Sequence, residues 1–188
     1  LHAVVCIYFN GGQIISGAAI NILAIGLPPV LCSALFGTAS SSPVIFNTVP
    51  RGIPQFVQNF PVLGSFFSQV SILDLFGLAL VVVTIAILKY TRFGLRLTSG
   101  GENPAALDAA GVSVVKYRTA GVLISGALAG LGGAYLSIAH GTQFIRNMTA
   151  GRGFIALAAL IIGNWRPGYV LIGCLFFGLM DALQIRMQ

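Results

Sequence analysis

The chain has 188 residues, 56% of them hydrophobic and 7% charged, against roughly 25% charged in an average soluble domain. With ten basic and four acidic side chains and a mean hydropathy of +0.93, there is too little polar surface to cover a water-facing globule. An ordinary soluble domain is excluded, an all-α integral membrane protein is the expected class, and the net charge of +6 is read for where it falls rather than as a nucleic-acid signal.

In chain order, Leu1 to Phe9 reads as the end of a helix begun upstream, followed by a turn at Asn10-Gly11-Gly12-Gln13. The sequence is therefore expected to be a fragment of a single polytopic transmembrane domain that lacks N-terminal helices. A bilayer core about 30 Å thick needs about 20 apolar residues per helix. Four spans are predicted, at about 14–36, 72–88, 119–139 and 169–185, with a half-span or broken span at 153–163. In the first, Pro28-Pro29 is expected to kink or end the helix near its far side.

Orientation follows from the loops, because Lys and Arg are retained on the cytoplasmic side. The loop 89–118 holds Lys89, Arg92, Arg96, Lys116 and Arg118, half of all the basic residues, and is assigned to the cytoplasm. The loop 37–71 has Arg51 alone, is punctuated by Pro43, Pro50, Pro54 and Pro61, and is assigned to the outside. Its phenylalanines, Phe46, Phe56, Phe60, Phe66 and Phe67, suggest packing on the membrane surface or on a partner.

Within the cytoplasmic loop, Asn103 is a good N-cap, Pro104 fits the first helical position, Ala105, Ala106, Ala109 and Ala110 fill the body, and Gly111 suits the stop. A helix of about two turns is too short to stand alone in water. It must dock, either in a partner's groove or on its own protein.

In the third span, small residues recur every four positions. Ser125, Ala129, Gly133 and Ser137 form one face, and Gly126, Gly130 and Ala134 another, a pattern that favours close helix packing in lipid. Around the half-span, Arg146, Asn147, Thr149 and Arg152 precede the apolar piece, and Asn164, Trp165 and Arg166 follow it. Non-helical backbone at membrane depth is tolerated only in protein or beside a polar cavity, so Asn147, Thr149, Arg152 and Phe154, with Asn21 inside the first span, are candidate pathway residues. Simple interfacial anchoring by Arg and Trp165 is the alternative. Asp181, inside the last span, must face protein or water, and its sequence neighbour Arg186 is a partner only if the helix end allows it.

No catalytic or metal constellation appears. Lys89 and Lys116 are the only lysines and neither lies in a phosphate-cradling GxxxxGK[ST] loop. His2 and His140 are isolated, and Cys6, Cys32 and Cys174 show no ligand spacing, so the chain is not expected to be an enzyme or to bind a cofactor.

The string Tyr90-Thr91-Arg92-Phe93-Gly94-Leu95-Arg96, then Gly101-Glu102-Asn103-Pro104-Ala105-Ala106 and Ala109-Ala110-Gly111, resembles the cytoplasmic signature of permease subunits of bacterial ABC importers. The group is that of ribose, simple-sugar and branched-chain amino-acid permeases. The glycine-rich run 125–134 resembles the helix that follows in that group, and Met148-Thr149-Ala150-Gly151-Arg152-Gly153-Phe154-Ile155-Ala156-Leu157-Ala158-Ala159 and Asp181-Ala182-Leu183-Gln184 are most similar to its nucleoside and simple-sugar branch. That resemblance implies a multi-pass protein of the bacterial inner membrane. It further implies a homologous or identical second permease, ATP-binding subunits that carry ATP-Mg, and an extracytoplasmic substrate-binding lipoprotein. In it Glu102, Asn103, Pro104, Ala105, Ala106, Asp108, Ala109 and Gly111 form the coupling helix that docks on the ATPase. A branched-chain amino-acid permease of the same fold, and an ATP-independent secondary transporter or channel, stay open as alternatives. The scarcity of intramembrane ionisable residues beyond Asp74 and Asp181 counts against the last.

Overall fold

A computed structural model describes residues 1–44, 71–141 and 143–187. The expectations for Arg51, for Pro50, Pro54 and Pro61 and for the five loop phenylalanines lie outside the described residues. The described residues form seven α-helices: α1 (Gln13–Phe36), α2 (Ile72–Tyr90), α3 (Arg92–Glu102), α4 (Pro104–Ala109), α5 (Val114–Tyr135), α6 (Arg152–Ile162) and α7 (Pro167–Met187). Short π-helical turns lie at Val4–Tyr8 and Leu136–His140. Four helices are long and apolar enough to cross a membrane: α1, α2, α5 with its π-helical extension, and α7. The protein is an all-α, multi-pass membrane protein.

Its helices are built for lipid. Ala3, Cys32, Leu107 and Ala159 are the buried hydrophobic residues among those described, while Ile, Leu, Val and Phe side chains along every span are exposed. In water that arrangement would not fold; in a bilayer the exposed apolar faces meet acyl chains, and packing rests on small residues and polar links instead.

The prolines do not end α1. The helix runs through Pro28 and Pro29 to Phe36 and stops only at Gly37, whose φ is 72°. A proline lacks the N–H owed to the carbonyl four residues earlier, so Ala24 and Ile25 lose their helical donors while the apolar run carries the helix onward.

α2 starts at a capping box in which Ser71 accepts from the Leu73 N–H, and Asp74 accepts from the Ser71 N–H at 2.7 Å. Asp74 also accepts from the hydroxyl of Tyr135, which joins the start of α2 to the end of α5. At the other end, Lys89 and Tyr90 complete α2, and the chain turns at Thr91 into α3. The segment 89–118 is thus not an open loop but the end of α2, two short helices and the first turn of α5. α5 begins at Val114, five residues before the apolar run, because Arg118 has a partner in α3 and its charged turn is held there.

Residues 40–42, just beyond α1, pair with residues 144–146. Ser41 and Ile145 form an antiparallel bridge, the Ser42 N–H donates to the Phe144 carbonyl at 3.0 Å, and the Arg146 N–H donates to the Ser40 carbonyl at 2.9 Å. Contacts therefore assign the helix ends to two sides. The end of α1, the start of α2, the end of α5 and the loop 143–151 lie on one side; the end of α2, α3, α4 and the start of α7 lie on the other.

Candidate functional site

Two regions carry the features singled out in the sequence. The first is the α2–α3–α4–α5 corner. Thr91 makes the turn possible: its hydroxyl donates to the Ile87 carbonyl at 2.6 Å and accepts from the Gly94 N–H at 3.2 Å, ending one helix and capping the next. Gly94 lies so close to α2 that a Cβ there would overlap the backbone of Ile87 and Leu88. Only glycine permits this fold-back.

α3 is then fastened to α5. Arg96 donates to the Tyr117 hydroxyl at 2.6 Å while Phe93 packs on the same ring at 5.7 Å between centroids. Arg118 donates to the Gly100 carbonyl at 3.0 Å, satisfying an acceptor in the last turn of α3. Gly121 receives Leu97, whose Cδ1 lies 3.0 Å from where a Cβ would stand.

On this base sits α4. The Asn103 side chain accepts from the Ala106 N–H at 3.1 Å, Pro104 occupies the first turn, and Gly111 adopts φ 75° beyond the last residue. Glu102 is not part of this helix: it is the last residue of α3, separated by the extended Asn103. Within α4 only Leu107 is buried, against Gly100, where an added Cβ would lie 3.3 Å from Leu107 Cδ2. Pro104, Ala105, Ala106, Asp108 and Ala109 are exposed, as are Glu102, Asn103 and Gly111. The helix is thus pinned to its own protein by one side chain and turns the rest outward.

The second region is the broken span. After the π-turn at Leu136–His140 the chain descends through tight turns, with the Met148, Ala150 and Arg152 N–H groups donating three residues back to Ile145, Asn147 and Thr149. Asn147, Ala150 and Gly151 take positive φ values of 62°, 42° and 80°. Asn and Gly accept that conformation readily; Ala150 does so at a cost of about 1–2 kcal/mol. α6 follows with 11 residues, a rise of roughly 16 Å, about half of a bilayer core.

α6 returns against α7 through small residues. Ala159 is fully buried beside Gly173, and Gly163 meets the backbone of Val170 so closely that a Cβ would lie 2.6 Å from its nitrogen. At the other end of this hairpin, Arg152 Nη2 stands 3.7 Å from Asp181 Oδ2. Asp181 is therefore paired across to α6, not along its own helix to Arg186. Counting from Pro167, Asp181 lies roughly 21 Å along α7, two-thirds of the way across.

Of the pathway candidates, Asn147, Thr149, Arg152 and Phe154 share this loop and the first turn of α6, and all four are exposed. Asn21 stands apart, exposed in the middle of α1. The packing candidates Ser125, Gly126, Ala129, Gly130 and Gly133 are all exposed, and no described atom comes within 4 Å of a Cβ at Gly126, Gly130 or Gly133. The described residues place no partner on this α5 face; close packing through small residues is found between α6 and α7. A four-residue spacing of Ala159 and Gly163 marks the α6 face, but nothing local in the sequence marks the pairing of Arg152 with Asp181, the close approach at Gly94 or the anchoring by Leu107. Among the described residues no group of three His, Cys, Asp or Glu is arranged to hold a metal.

Comparison with known proteins places this geometry. Residues 1–187 match the family described as branched-chain amino acid transport system / permease component. The chain is 39% identical, over 98% of its length, to the guanosine ABC transporter permease protein NupQ of Bacillus subtilis, of which it covers 58%. It is 37% identical over 98% of its length to the nucleoside ABC transporter permease protein NupC of Lactococcus lactis, again covering 58%. To the putative glucose ABC transporter permease protein TsgC13 of Haloferax volcanii it is 35% identical over its whole length, covering 56%. The chain thus spans a little over half the length of these relatives. No solved structure matches it.

Proposed function

Because the chain belongs to the branched-chain amino acid transport system / permease component family, we propose that it forms part of the membrane-spanning permease of an ATP-driven ABC importer for nucleosides or simple sugars. The names of the relatives at 35–39% identity favour these cargoes over branched-chain amino acids. Similarity to a second nucleoside permease, NupB, at 30% identity over 106 residues supports a pairing with a related permease subunit. ATP-Mg belongs to separate ATP-binding subunits in this reading, and cargo arrives on an extracytoplasmic lipoprotein at the bacterial inner membrane.

The observation that carries the proposal is α4. A two-turn helix held by Leu107 alone, with Ala105, Ala106, Asp108 and Ala109 turned outward, suits a contact in which small side chains let a partner's groove close around it. Closure of the ATP-binding subunits then moves α4, and the α2–α3–α5 corner passes that movement to the spans. The glycine face of α5, free of neighbours within 4 Å at Gly126 and Gly130, is assigned to the rest of the full-length permease or to the second subunit.

The test is co-purification of the tagged full-length protein from its native membrane. An ATP-binding subunit is expected to stay bound and to be lost, with at least a tenfold fall in ATP-dependent uptake, in Ala106→Arg. A protein that purifies alone and moves solute without ATP would overturn the reading in favour of a channel or secondary transporter.

A further inference from the structure

The α6–α7 hairpin is sealed at one end and open at the other. Ala159 is fully buried beside Gly173 and Gly163 abuts the backbone of Val170, whereas the side chains of Arg152 and Asp181 at the far end stay 42% and 48% exposed. Asp181 lies deep in the 21-residue α7 and Arg152 opens the half-length α6, so the open end of the hairpin stands at membrane depth.

The pair that closes this end is unsaturated. At 3.7 Å, Arg152 Nη2 and Asp181 Oδ2 attract by charge but stand too far apart for a hydrogen bond. A guanidinium carries five N–H donors and a carboxylate about four acceptor sites, and this contact uses none of them. Polar groups at such depth are held there by water or by a polar ligand.

Its chemistry selects the ligand. The two opposite charges cancel, so the pair offers no net charge to hold an ionic solute. A hydroxyl is neutral and both donates and accepts from a single oxygen, so it suits a carboxylate and a guanidinium alike. Of two hydroxyls on adjacent ring carbons, one donates to Asp181 while the other accepts from Arg152, and hydrogen bonds to charged groups are the stronger kind. The inference rests on the importer reading above, whose two cargo classes, nucleosides and simple sugars, share adjacent ring hydroxyls. We propose that Arg152 and Asp181 together bind these hydroxyls of the cargo ring and so set the preference of the permease for cargo that carries them.

ATP-driven uptake into vesicles carrying the full-length importer tests this. Guanosine is compared with 2′,3′-dideoxyguanosine and glucose with 3-deoxyglucose, using the same binding lipoprotein for every variant so that its own selectivity cancels. The wild-type preference for the hydroxyl-bearing member of the pair that is moved is expected to fall at least fivefold in Arg152→Gln and in Asp181→Asn. A variant that only loosens the α6–α7 hairpin slows both members alike and leaves their ratio unchanged. An unchanged ratio in both variants would therefore overturn the inference while the importer reading stands. Wild-type vesicles that move none of the four solutes with ATP would overturn the importer reading and the inference with it.

Discussion

The guanidinium of Arg152 and the carboxylate of Asp181 stand 3.7 Å apart on neighbouring helices and face each other where the broken span begins. A cation in the first turn of a helix opposes the helix dipole, and a carboxylate there is favoured, so Asp181 offsets at once the charge of Arg152 and the exposed N–H groups of α6. The two side chains are 42% and 48% exposed, consistent with a pair that lines a space and is not sealed in packing.

Neutralising one partner leaves the other charge alone at membrane depth. Arg152→Leu and Asp181→Leu are each expected to cost about 1–2 kcal/mol, less than the full insertion cost because of that exposure. The double Leu variant should cost less than the sum of the two, and the exchanged pair Arg152→Asp/Asp181→Arg should recover part of the loss. Thermal unfolding of the four variants in detergent gives the coupling; strictly additive losses would show that the pair makes no contribution of its own.

The corner at Gly94 makes a sharper demand. Gly94→Ala places a methyl against the backbone of Ile87 and Leu88, which has no rotamer to yield, and should destabilise by about 2 kcal/mol or more. Gly126→Ala, on a helix face with nothing within 4 Å, should stabilise the isolated chain by about 0.5–1 kcal/mol. Unfolding midpoints that move together in the two variants would contradict the close approach of α3 to α2.

Sidedness is tested with single cysteines in a background lacking Cys6, Cys32 and Cys174. Ser113, the residue before α5, and Ser41, in the bridge beyond α1, lie on opposite sides of the bundle. Cysteine at 113 should react with an impermeant maleimide only in inverted vesicles, and cysteine at 41 only in intact cells. The reverse labelling would invert the orientation argued from the basic residues of 89–118.

Features encoded within one or two turns were legible without a structure. Asn103, Pro104 and Gly111 specify a start and a stop by backbone chemistry, and they do so in the fold; the long apolar runs, with no charge or a single aspartate each, likewise became the long helices. What could not be read was fixed by residues distant in the chain. Asp181 has Arg186 nearby in sequence, yet its partner is Arg152, because α6 folds back on α7 and brings the first turn of α6 alongside. α5 extends ahead of the apolar run through Lys116 and Arg118, because Arg118 is accommodated by a carbonyl at Gly100. Leu107 is an ordinary leucine in sequence and acquires its anchoring role only from the gap left by Gly100.

The pairing of residues 40–42 with 144–146 sets an order of assembly. The Ser42 hydroxyl accepts from the Phe144 N–H across 102 residues of chain, a segment that contains α2 through α5. During synthesis the partner of Ser42 does not exist until those helices have been made, and α1 must wait in the bilayer with that edge unpaired. Closing a loop of this length adds entropy cost only slowly with size, so the delay is set by synthesis of the intervening helices. The join between α1 and the broken span therefore forms only after α2 through α5 have been made.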